Sequence, residues 1–526
     1  MDFRQPYHQD TFLEFLKDNF LPNDFKISKE KINLTDLSFK PEHIQKIELL
    51  GEVPSLDLKI YEIHHEFEND PRVTLSRETF RILANFGTRK SLVSYVSSKS
   101  PNYRFSLITI DLKMEGIKVT KEYSNPRRYS FFLGPDSKTH TSYEYLINKG
   151  RIKDFDDLKN RFSIEVVNKE FYNKIAVSFT QLSGGSRKIG SKSIDAGSGC
   201  LHLPGTTDDT IRKEFAVRLI GRLVFCWFLK KKHSDSGIPL LPEEVLSVDA
   251  VHKNKNYYHD MLEPLFFEIL NTPIKQRIEQ FKAAHWDTIP FLNGGLFEPH
   301  PGTRGDFYET GVLGISKHIN TLKVSDEWLK NLFEVFETYN FTIDENTSVD
   351  VELSIDPEML GRVFENLLAE INPETGETAR RKSTGSYYTP RPIVEYMVDE
   401  SLKQYLLTKT KLSEEKISRL LTYSDVDTEL SEKEKEAVVD ALDTIKIIDP
   451  ACGSGAFPMG MLQKMLLILQ KVDPDSQNWL DRILKKIDNS LERKMLQSKL
   501  EKENVNYTHK LGIIRDSMYG VDIQPI

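Results

Sequence analysis

One stretch near the C-terminal end most constrains how this chain can fold: Ile-Lys-Ile-Ile-Asp-Pro-Ala-Cys-Gly-Ser-Gly-Ala-Phe, residues 445–457. Its short apolar run is β-branched at three of four positions, which predicts a buried parallel strand. An acidic residue, a tight turn with two glycines and a predicted helix over about 457–472 follow. This order places a ligand beyond the carboxyl end of the strand, beside the helix N-terminus. Gly453 and Gly455 have no Cβ, so the backbone can lie against that ligand.

The residues around the two glycines discriminate among the ligands that bind such turns. A nucleoside triphosphate requires Gly-Lys-Ser/Thr, and Ala456-Phe457 supplies neither the lysine nor the hydroxyl. A dinucleotide requires a third glycine where Pro458 stands. An ordinary strand-to-helix turn explains two glycines alone. The full Asp-Pro-x-x-Gly-Ser-Gly stretch, residues 449–455, resembles the first motif of S-adenosylmethionine-dependent DNA methyltransferases that modify adenine.

Two further segments resemble motifs of the same family, and they occur in the family's order. Gly-Ser-Tyr-Tyr-Thr-Pro, residues 385–390, precedes a predicted amphipathic helix, with Thr389 as its N-cap and Pro390 at its first helical position. The chain finishes Met-Tyr-Gly-Val-Asp-Ile-Gln-Pro-Ile, in which Asp522 matches the acidic residue at the end of the family's second strand. Read alone, the first segment is a well-capped helix start and the second is a strand that ends in an aspartate.

The resemblance implies a set of residues around S-adenosylmethionine. Asp522 would accept hydrogen bonds from the ribose hydroxyls, and the segment 387–390 would close over the methionine end of the cofactor. Asp449 would face the cofactor amino group or brace the turn. The whole implied set is Tyr387, Tyr388, Thr389, Pro390, Asp449, Ala451, Gly453, Gly455 and Asp522.

Length, charge and cysteine usage narrow the class of protein. The 526 residues suffice for roughly three domains, and the 39% apolar and 29% charged shares are typical of a globular protein with a core. No apolar run approaches the ~20 residues of a membrane span, and residues 1–24 are too acidic for a signal peptide, so we expect no membrane partner and a cytoplasmic location. Three scattered cysteines argue against a disulfide framework or a zinc knuckle. The net charge of −8 weighs mildly against nucleic acid, although a multidomain enzyme can concentrate lysine and arginine along one groove.

The first 182 residues predict an α/β domain with helix, strand, helix, strand order. The predicted elements are a helix at 8–20, strands at 44–50 and 56–64, a helix at about 75–86, and strands at 91–97, 103–112 and 128–133. This order is compatible with the nuclease fold named for its Pro-Asp…Glu-x-Lys motif. That active site needs carboxylates to hold Mg²⁺ and a lysine to orient the attacking water.

The residues expected in the nuclease active site match this sequence less well than the order of its predicted helices and strands matches the nuclease fold. Asp57 and Glu62 are the candidate metal ligands, and His64 stands where the lysine is expected. Lys59 points to the Asp57 side of the strand, not to the Glu62 side. A half-solvated strand with an acidic face explains the same residues without a nuclease.

Two central segments differ in composition from what surrounds them. Residues 183–200 are rich in glycine and serine and contain Arg187, Lys188 and Lys192. A linker is the default interpretation, and the more specific alternative is a flexible loop that contacts DNA phosphates. Residues 207–345 are mainly helical in pattern, and His259, His285 and His300 are spread through them without metal-ligand spacing.

Taken together, the chain resembles the amino-terminal half of a type IIG restriction–modification enzyme. The resemblance implies a nuclease-like α/β domain (1–182), a linker (183–206), a helical connector (207–345) and the first part of a Rossmann-like, class I methyltransferase domain (346–526). It also implies double-stranded DNA as partner, with Mg²⁺ if the nuclease is active. It is strongest over 354–526 and weakest at the nuclease residues.

The family's catalytic loop is missing from this sequence. Adenine methylation needs an Asn/Asp-Pro-Pro-Tyr loop that binds the flipped base, and no Pro-Pro pair occurs here. In the family this loop follows the Asp522 strand. We therefore expect a truncated or split enzyme whose sheet and recognition domain are completed by a second polypeptide or by the rest of a longer gene.

Three functions follow from these observations. The first is a site-specific DNA adenine-N6 methyltransferase, or its cofactor-binding half. The alternative is a non-catalytic DNA- or partner-binding subunit of a restriction or phage-defence system. A methyltransferase for RNA, protein or a small molecule is the third, because a glycine turn alone does not select the substrate.

Overall fold

The structure of the protein is a computed structural model. It describes residues 1–68, 72–110, 127–189, 192–234, 237–282, 286–292, 295–302, 304–309, 316–342, 350–368, 389–423, 428–453, 455–485 and 505–521. These residues fall into two compact units. Unit 1 is Met1–Ser386, and unit 2 is Tyr387–Pro525.

A seven-stranded mixed sheet organises unit 1. The strands of this unit are β1 (Lys26–Ile32), β2 (Ile44–Val53), β3 (Leu58–His65), β4 (Lys90–Ser97), β5 (Tyr103–Thr109), β6 (Arg127–Leu133), β7 (Ser186–Ile189), β8 (Lys192–Asp195) and β9 (Asp350–Glu352). The order across the sheet is β1-β2-β3-β4-β5-β6-β9. The pairs β3–β4 and β6–β9 are parallel, and the other neighbours are antiparallel. The α/β class is thus confirmed.

Helices occupy much of the rest of unit 1. They are α1 (Gln9–Phe15), α2 (Arg72–Asn85), α3 (His140–Ser142), α4 (Phe155–Arg161), α5 (Ile164–Ser183), α6 (Asp209–Lys230), α7 (Val248–Lys253), α8 (Asp326–Glu337) and α9 (Pro357–Leu368). Turns of π-helix span Leu16–Phe20, Tyr143–Asn148, Tyr258–Leu262 and Pro264–Leu270, and short 3₁₀ turns span Leu34–Asp36, Pro54–Leu56, Ile274–Gln276, Glu279–Phe281 and Gly295–Phe297.

Helices cover both faces of the sheet. On one face the ring of Phe12 in α1 lies 5.1 Å from that of Phe105 in β5. On the other face, Nη1 of the fully buried Arg128 in β6 donates to Oγ of Ser76 in α2 at 3.1 Å. Because successive side chains of a strand point to opposite faces, a sheet covered twice needs apolar residues at consecutive positions, as at Leu92-Val93.

The elements predicted for the first 182 residues are confirmed to within a few residues, with the helix at 8–20 divided into α1 and a π-helical turn. Strand β1 was not predicted, because three of its seven residues are lysines and no apolar face marks it, and all but Ile32 are exposed. Strand β9 was not predicted either, and it joins the sheet from far along the chain. The segment predicted as a linker contains the antiparallel hairpin β7–β8.

The helical part of unit 1 is held by a dense apolar core and buried ion pairs. Trp227 of α6 packs its ring within 5.4 Å of Phe333 and 5.2 Å of Phe336 in α8. The guanidinium of Arg222 in α6 binds the carboxylate of Asp306 through two hydrogen bonds of 2.9 and 2.8 Å. The mainly helical pattern predicted for 207–345 is confirmed, whereas its role as a connector stays a prediction.

The four-part division of the chain also stays a prediction. The structure places the start of its fourth part, β9 and α9, in unit 1.

Unit 2 contains helices around a pair of parallel strands. Its elements are α10 (Arg391–Thr410), α11 (Glu414–Leu421), α12 (Glu432–Thr444), β10 (Ile447–Asp449), α13 (Ala456–Val472), α14 (Gln477–Lys485), α15 (Val505–Ser517) and β11 (Met518–Gly520). Every fourth residue of α10 is apolar and buried, which forms a stripe along one face: Val394, Val398, Leu402 and Leu406. This stripe shares a core with the buried residues of α13.

Among the helices in the described ranges, none is both long and apolar enough to cross a lipid bilayer.

Candidate functional site

In the turn after β10, one carboxylate oxygen of Asp449 accepts a hydrogen bond, and the other has no hydrogen-bond partner among the described residues. The backbone N–H of Ala451 donates to Oδ1 of Asp449 at 3.0 Å, which fixes the chain as it leaves the strand. Oδ2 of Asp449 is buried, and no donor in the described part of the chain reaches it. A buried acceptor of this kind is costly unless a ligand or water donates to it.

The two glycines of this turn have left-handed backbone conformations. Gly453 has φ +49° and Gly455 has φ +82°, values that side-chain-bearing residues adopt only with strain. A Cβ on Gly455 would meet no atom of the described residues within 4 Å, so these residues leave the space above the turn open. Gly455 is the N-cap of α13 and supplies no capping side chain. The N-terminal N–H groups and the positive end of the helix dipole therefore face a region where a ligand can approach.

Strand β11 lies beside β10 and ends at the same edge. The pairing is parallel, with Asp449 opposite Gly520. Two more backbone hydrogen bonds continue it past the strands, from Val521 N to Asp449 O at 2.8 Å and from Cys452 N to Val521 O at 2.9 Å. The parallel strand predicted at 445–448 is thereby confirmed, although it spans Ile447–Asp449. Asp522, the next residue, lies outside the described residues.

Helix α10 runs alongside α13 in the same direction. A Cβ on Gly460 of α13 would lie 2.9 Å from Cγ1 of Val394 in α10, so the helices approach closely there. One turn further on, Nζ of Lys464 lies 2.9 Å from Oδ1 of Asp399. Because residues advance together along both helices, their N-termini lie at the same end. The start of α10 is thus near the glycine turn.

The predicted cap of α10 is wrong by one residue. The helix begins at Arg391, and Pro390 is the N-cap rather than the first helical residue. The carbonyl of Pro390 accepts from the N–H groups of Ile393 and Val394, as the carbonyl of an N-cap does. Pro392 then lies at the second helical position, where an N–H group has no intrahelical partner. Tyr387 and Tyr388 lie outside the described residues.

We expect Gly460→Ala to destabilise the packing of α10 on α13. An alanine would add about 1 kcal/mol of intrinsic helix stability, but its methyl group would clash with the stiff Val394 side chain. The expected net loss is about 1–2 kcal/mol in the free energy of unfolding of unit 2, measured by hydrogen exchange of α13 peptides in the full chain. In a cycle with Val394→Ala, a coupling of about 1 kcal/mol should appear, and strictly additive effects would contradict the close approach.

The prediction that β10 is a buried strand is wrong. Ile448 is 68% exposed, and on β11 Tyr519 is 49% exposed, with Val521 just beyond it at 52%. Among the described residues, β10 has one neighbouring strand, and helix packing buries only part of the pair. The β-branched residues of this strand are therefore typical of a more buried strand than the described helices and strands produce.

A second polar cluster lies in unit 1 around Glu62 of β3. Its side chain is 2% exposed. Oε2 accepts from the hydroxyl of Tyr7 at 2.6 Å and from Nε2 of Gln9 at 3.1 Å, while Oε1 lies 2.6 Å from Nε2 of His64. Burial would raise the pKa of Glu62, but the hydrogen bonds from His64, Tyr7 and Gln9 outweigh it and hold the pKa below its usual value.

A glutamate and a lysine of β2 belong to this cluster. Glu48 is the direct strand partner of Glu62. Nζ of Lys46 lies 2.8 Å from Oε2 of Glu48 and 3.9 Å from Oε1 of Glu62. Sequence reasoning missed both residues, although the Lys-x-Glu alternation at 46–48 mirrors Glu-x-His at 62–64. Finding them requires the strand register, which two irregularities in the β2–β3 pairing shift.

The structure brings Glu62 and His64 together but keeps Asp57 away from them. Asp57 ends a 3₁₀ turn in a left-handed conformation, just before β3 begins. Five residues along a strand correspond to roughly 16 Å, whereas two ligands of one Mg²⁺ lie within about 4 Å of each other.

Magnesium does not fit the Glu62 cluster as it stands. Both oxygens of Glu62 already accept hydrogen bonds, and Lys46 lies between the two glutamates. No group of three histidine, cysteine, aspartate or glutamate side chains with metal-binding geometry occurs in the described ranges.

Comparison with known proteins finds a relative from Methanocaldococcus jannaschii. That protein is named "Putative type II restriction enzyme and methyltransferase", and it is 29% identical to this chain over 414 residues. The match covers 73% of this chain but only 31% of the relative, so the chain spans about a third of the relative's length. No protein-family model matches the chain. No solved structure matches it either.

Proposed function

We propose that this chain contains the cofactor-binding part of an S-adenosylmethionine-dependent DNA adenine-N6 methyltransferase from a restriction–modification system of the type IIG kind. The observation that carries the proposal is the convergence at one edge of unit 2. There the ends of β10 and β11, the glycine turn and the N-termini of α10 and α13 come together. The name of the M. jannaschii relative supports a restriction–modification methyltransferase at a coarser level.

The described residues at this edge fit the proposed cofactor. Oδ2 of Asp449 is a buried acceptor suited to an amino or ammonium group, and the open space over Gly455 admits a ligand against the backbone. Gly453 and Ala451 would line the same turn, and Thr389 and Pro390 would close over it with Tyr387 and Tyr388. Asp522 would hold the ribose. Bound S-adenosylmethionine would supply the methyl group, and these residues would bind and orient it.

The proposed target is adenine in double-stranded DNA, and it requires a loop that this sequence does not contain. No Asn-Pro-Pro-Tyr loop occurs in the chain. We propose that a second polypeptide, or further sequence as in the longer relative, supplies it together with more strands of the sheet. The exposed apolar side chains of Ile448, Tyr519 and Val521 support this, because added strands and helices would cover them.

Calorimetry on the full chain tests the proposal. We expect S-adenosylmethionine and its demethylated product to bind in the micromolar range, with ATP and NAD as non-binding controls. If neither S-adenosylmethionine nor its demethylated product gives a heat of binding, the proposal that the chain binds this cofactor is refuted. Transfer of a tritiated methyl group to adenine, with and without a supplied downstream polypeptide, then tests the reaction and its substrate.

A second candidate function for unit 1 is a non-catalytic role in binding DNA or a partner. The observation in its favour is the Glu62 cluster, where Tyr7, Gln9, His64 and Lys46 meet the oxygens that a metal would need. The nuclease-like domain at 1–182, with Asp57, Glu62 and His64 as active residues and Mg²⁺ as cofactor, remains the competing hypothesis. Mg²⁺-dependent nicking of plasmid DNA that is lost in Glu62→Gln would favour the nuclease.

A further inference from the structure

The hairpin β7–β8 and the helices at its base enclose a cavity that neither proposed activity uses. The cavity has a volume of about 330 Å³ and is partly open to solvent. It is lined by the C-terminal end of α5, by the start of the hairpin and by one residue of α6: Phe179, Thr180, Gly184, Gly185, Ser186, Arg187, Lys188 and Lys213. Its volume is at the lower end of the range for small-ligand pockets, which suits a phosphate with part of its sugar.

The lining is strongly basic in a chain whose net charge is −8. Arg187, Lys188 and Lys213 contribute cations, and the described residues that line the cavity include no aspartate or glutamate. Nε of Arg187 donates to Oγ1 of Thr180 at 3.1 Å, which anchors the guanidinium at the wall. Within the described part of the chain, neither Lys188 nor Lys213 forms an ion pair with a carboxylate. Like charges that line one cavity repel one another, so an anion bound in the cavity would stabilise it.

The walls of the cavity are held in place by backbone contacts. The N–H of Gly185 donates to Gly197 O at 2.8 Å, and the N–H of Ala196 donates back to Gly185 O at 2.9 Å. A Cβ on Gly199 would lie 2.4 Å from the backbone N of Gly184, so glycine is required where these segments cross. Nη1 of Arg212 in α6 donates to Ser198 O at 2.8 Å and ties the hairpin to the helix. The cations therefore sit on a preorganised frame.

We propose that this cavity binds a phosphate group of a nucleic-acid backbone, with Lys188 and Lys213 as the direct ligands and Arg187 positioned beside them. The inference rests on the proposed DNA substrate, and it gives the 183–200 segment a role in positioning duplex DNA. Phosphate contacts carry no sequence information, but they fix the register and orientation of the protein on the duplex.

The test is the salt dependence of duplex binding by the full chain. We expect Lys188→Ala/Lys213→Ala to weaken binding to a random-sequence duplex roughly tenfold at low salt, and to reduce the slope of log K against log[salt] by about 1 for each lysine. The control is Lys253→Ala/Lys275→Ala, which removes two exposed lysines outside the cavity and so changes the net charge equally. We expect this control to leave the slope nearly unchanged. Equal melting temperatures of all three proteins show that folding is intact.

Three results would overturn the inference. The first is a parent chain without salt-dependent duplex binding, and the second is a cavity variant whose slope equals that of the control. The third is inorganic phosphate that binds the parent but not the cavity variant, while duplex affinity is the same in both, which would assign the cavity to a small anion. Binding of S-adenosylmethionine, measured in parallel, depends on unit 2 residues, so failure of the cofactor proposal is seen separately.

Discussion

Asp449→Asn binds S-adenosylmethionine roughly ten- to hundredfold more weakly than the parent chain, as measured by calorimetry. Asparagine can still accept from Ala451 N through its carbonyl oxygen, so the turn after β10 should be retained. The amide group then replaces the buried Oδ2 acceptor with a donor, and a ligand ammonium or amino group loses its partner. Loss of a hydrogen bond to a charged group costs about 1.5–3 kcal/mol, which corresponds to the stated range.

Asp481→Asn is the matched control for this variant. Asp481 is an exposed aspartate of α14 in the same unit, so its substitution removes the same charge outside the turn. Equal cofactor affinities of the parent and Asp449→Asn would remove Asp449 from the site. An equal loss in both variants would show that only net charge matters.

Glu62→Ala lowers the free energy of unfolding of unit 1 by about 2–4 kcal/mol at pH 7. The substitution leaves the hydroxyl of Tyr7 and the side chains of Gln9 and His64 without the carboxylate that they share, in a place where water reaches them poorly. Urea unfolding of the full chain, followed by hydrogen exchange of β2 and β3 peptides, measures the change. Glu52→Ala, at an exposed position of β2, should change the stability by less than about 0.5 kcal/mol.

The effect of Glu62→Ala should also depend on pH. Hydrogen bonds in the folded state outweigh burial and lower the pKa of Glu62 below its ordinary value of 4.5. The carboxylate therefore contributes its stability fully above that value and loses it as the pH falls through the lowered pKa. The difference in the free energy of unfolding between the parent and Glu62→Ala should therefore decrease at acidic pH. A difference that is constant from pH 7 down to pH 3 would point to lost packing instead of lost hydrogen bonds.

Patterns of neighbouring residues predicted many of the helices, strands and turns of this protein, whereas features that depend on contacts between distant parts of the chain were mostly not predicted. The turn at 449–455 could be read from the sequence because a strand, two glycines and a helix are contiguous, and each has its own propensity. The resemblance placed the family's second strand in the segment 518–526, where β11 is observed. By contrast, the exposure of Ile448 depends on which elements cover the strand, and the residue itself carries no such information.

The Glu62 cluster shows the same limit within a single hairpin. Glu62 and His64 were found because they lie two residues apart on one strand. Glu48 and Lys46 were not found, because their positions beside Glu62 depend on a register that shifts twice between β2 and β3. In the 183–206 segment, glycine and serine content predicted a linker. The left-handed glycines instead let a hairpin and the end of α5 cross closely, and Gly199 against Gly184 is the clearest case.

Because β9 joins the sheet from far along the chain, the sheet of unit 1 stays incomplete during much of translation. The stretch between Leu133, where β6 ends, and Asp350 takes roughly 10 to 40 seconds to synthesise at about 5–20 residues per second. Throughout that interval the outer edge of β6 is open, and a nascent chain with an open edge can pair with its neighbour on the same polysome. Chaperone protection during translation, or slow elongation over this stretch, would then decide the yield of native protein.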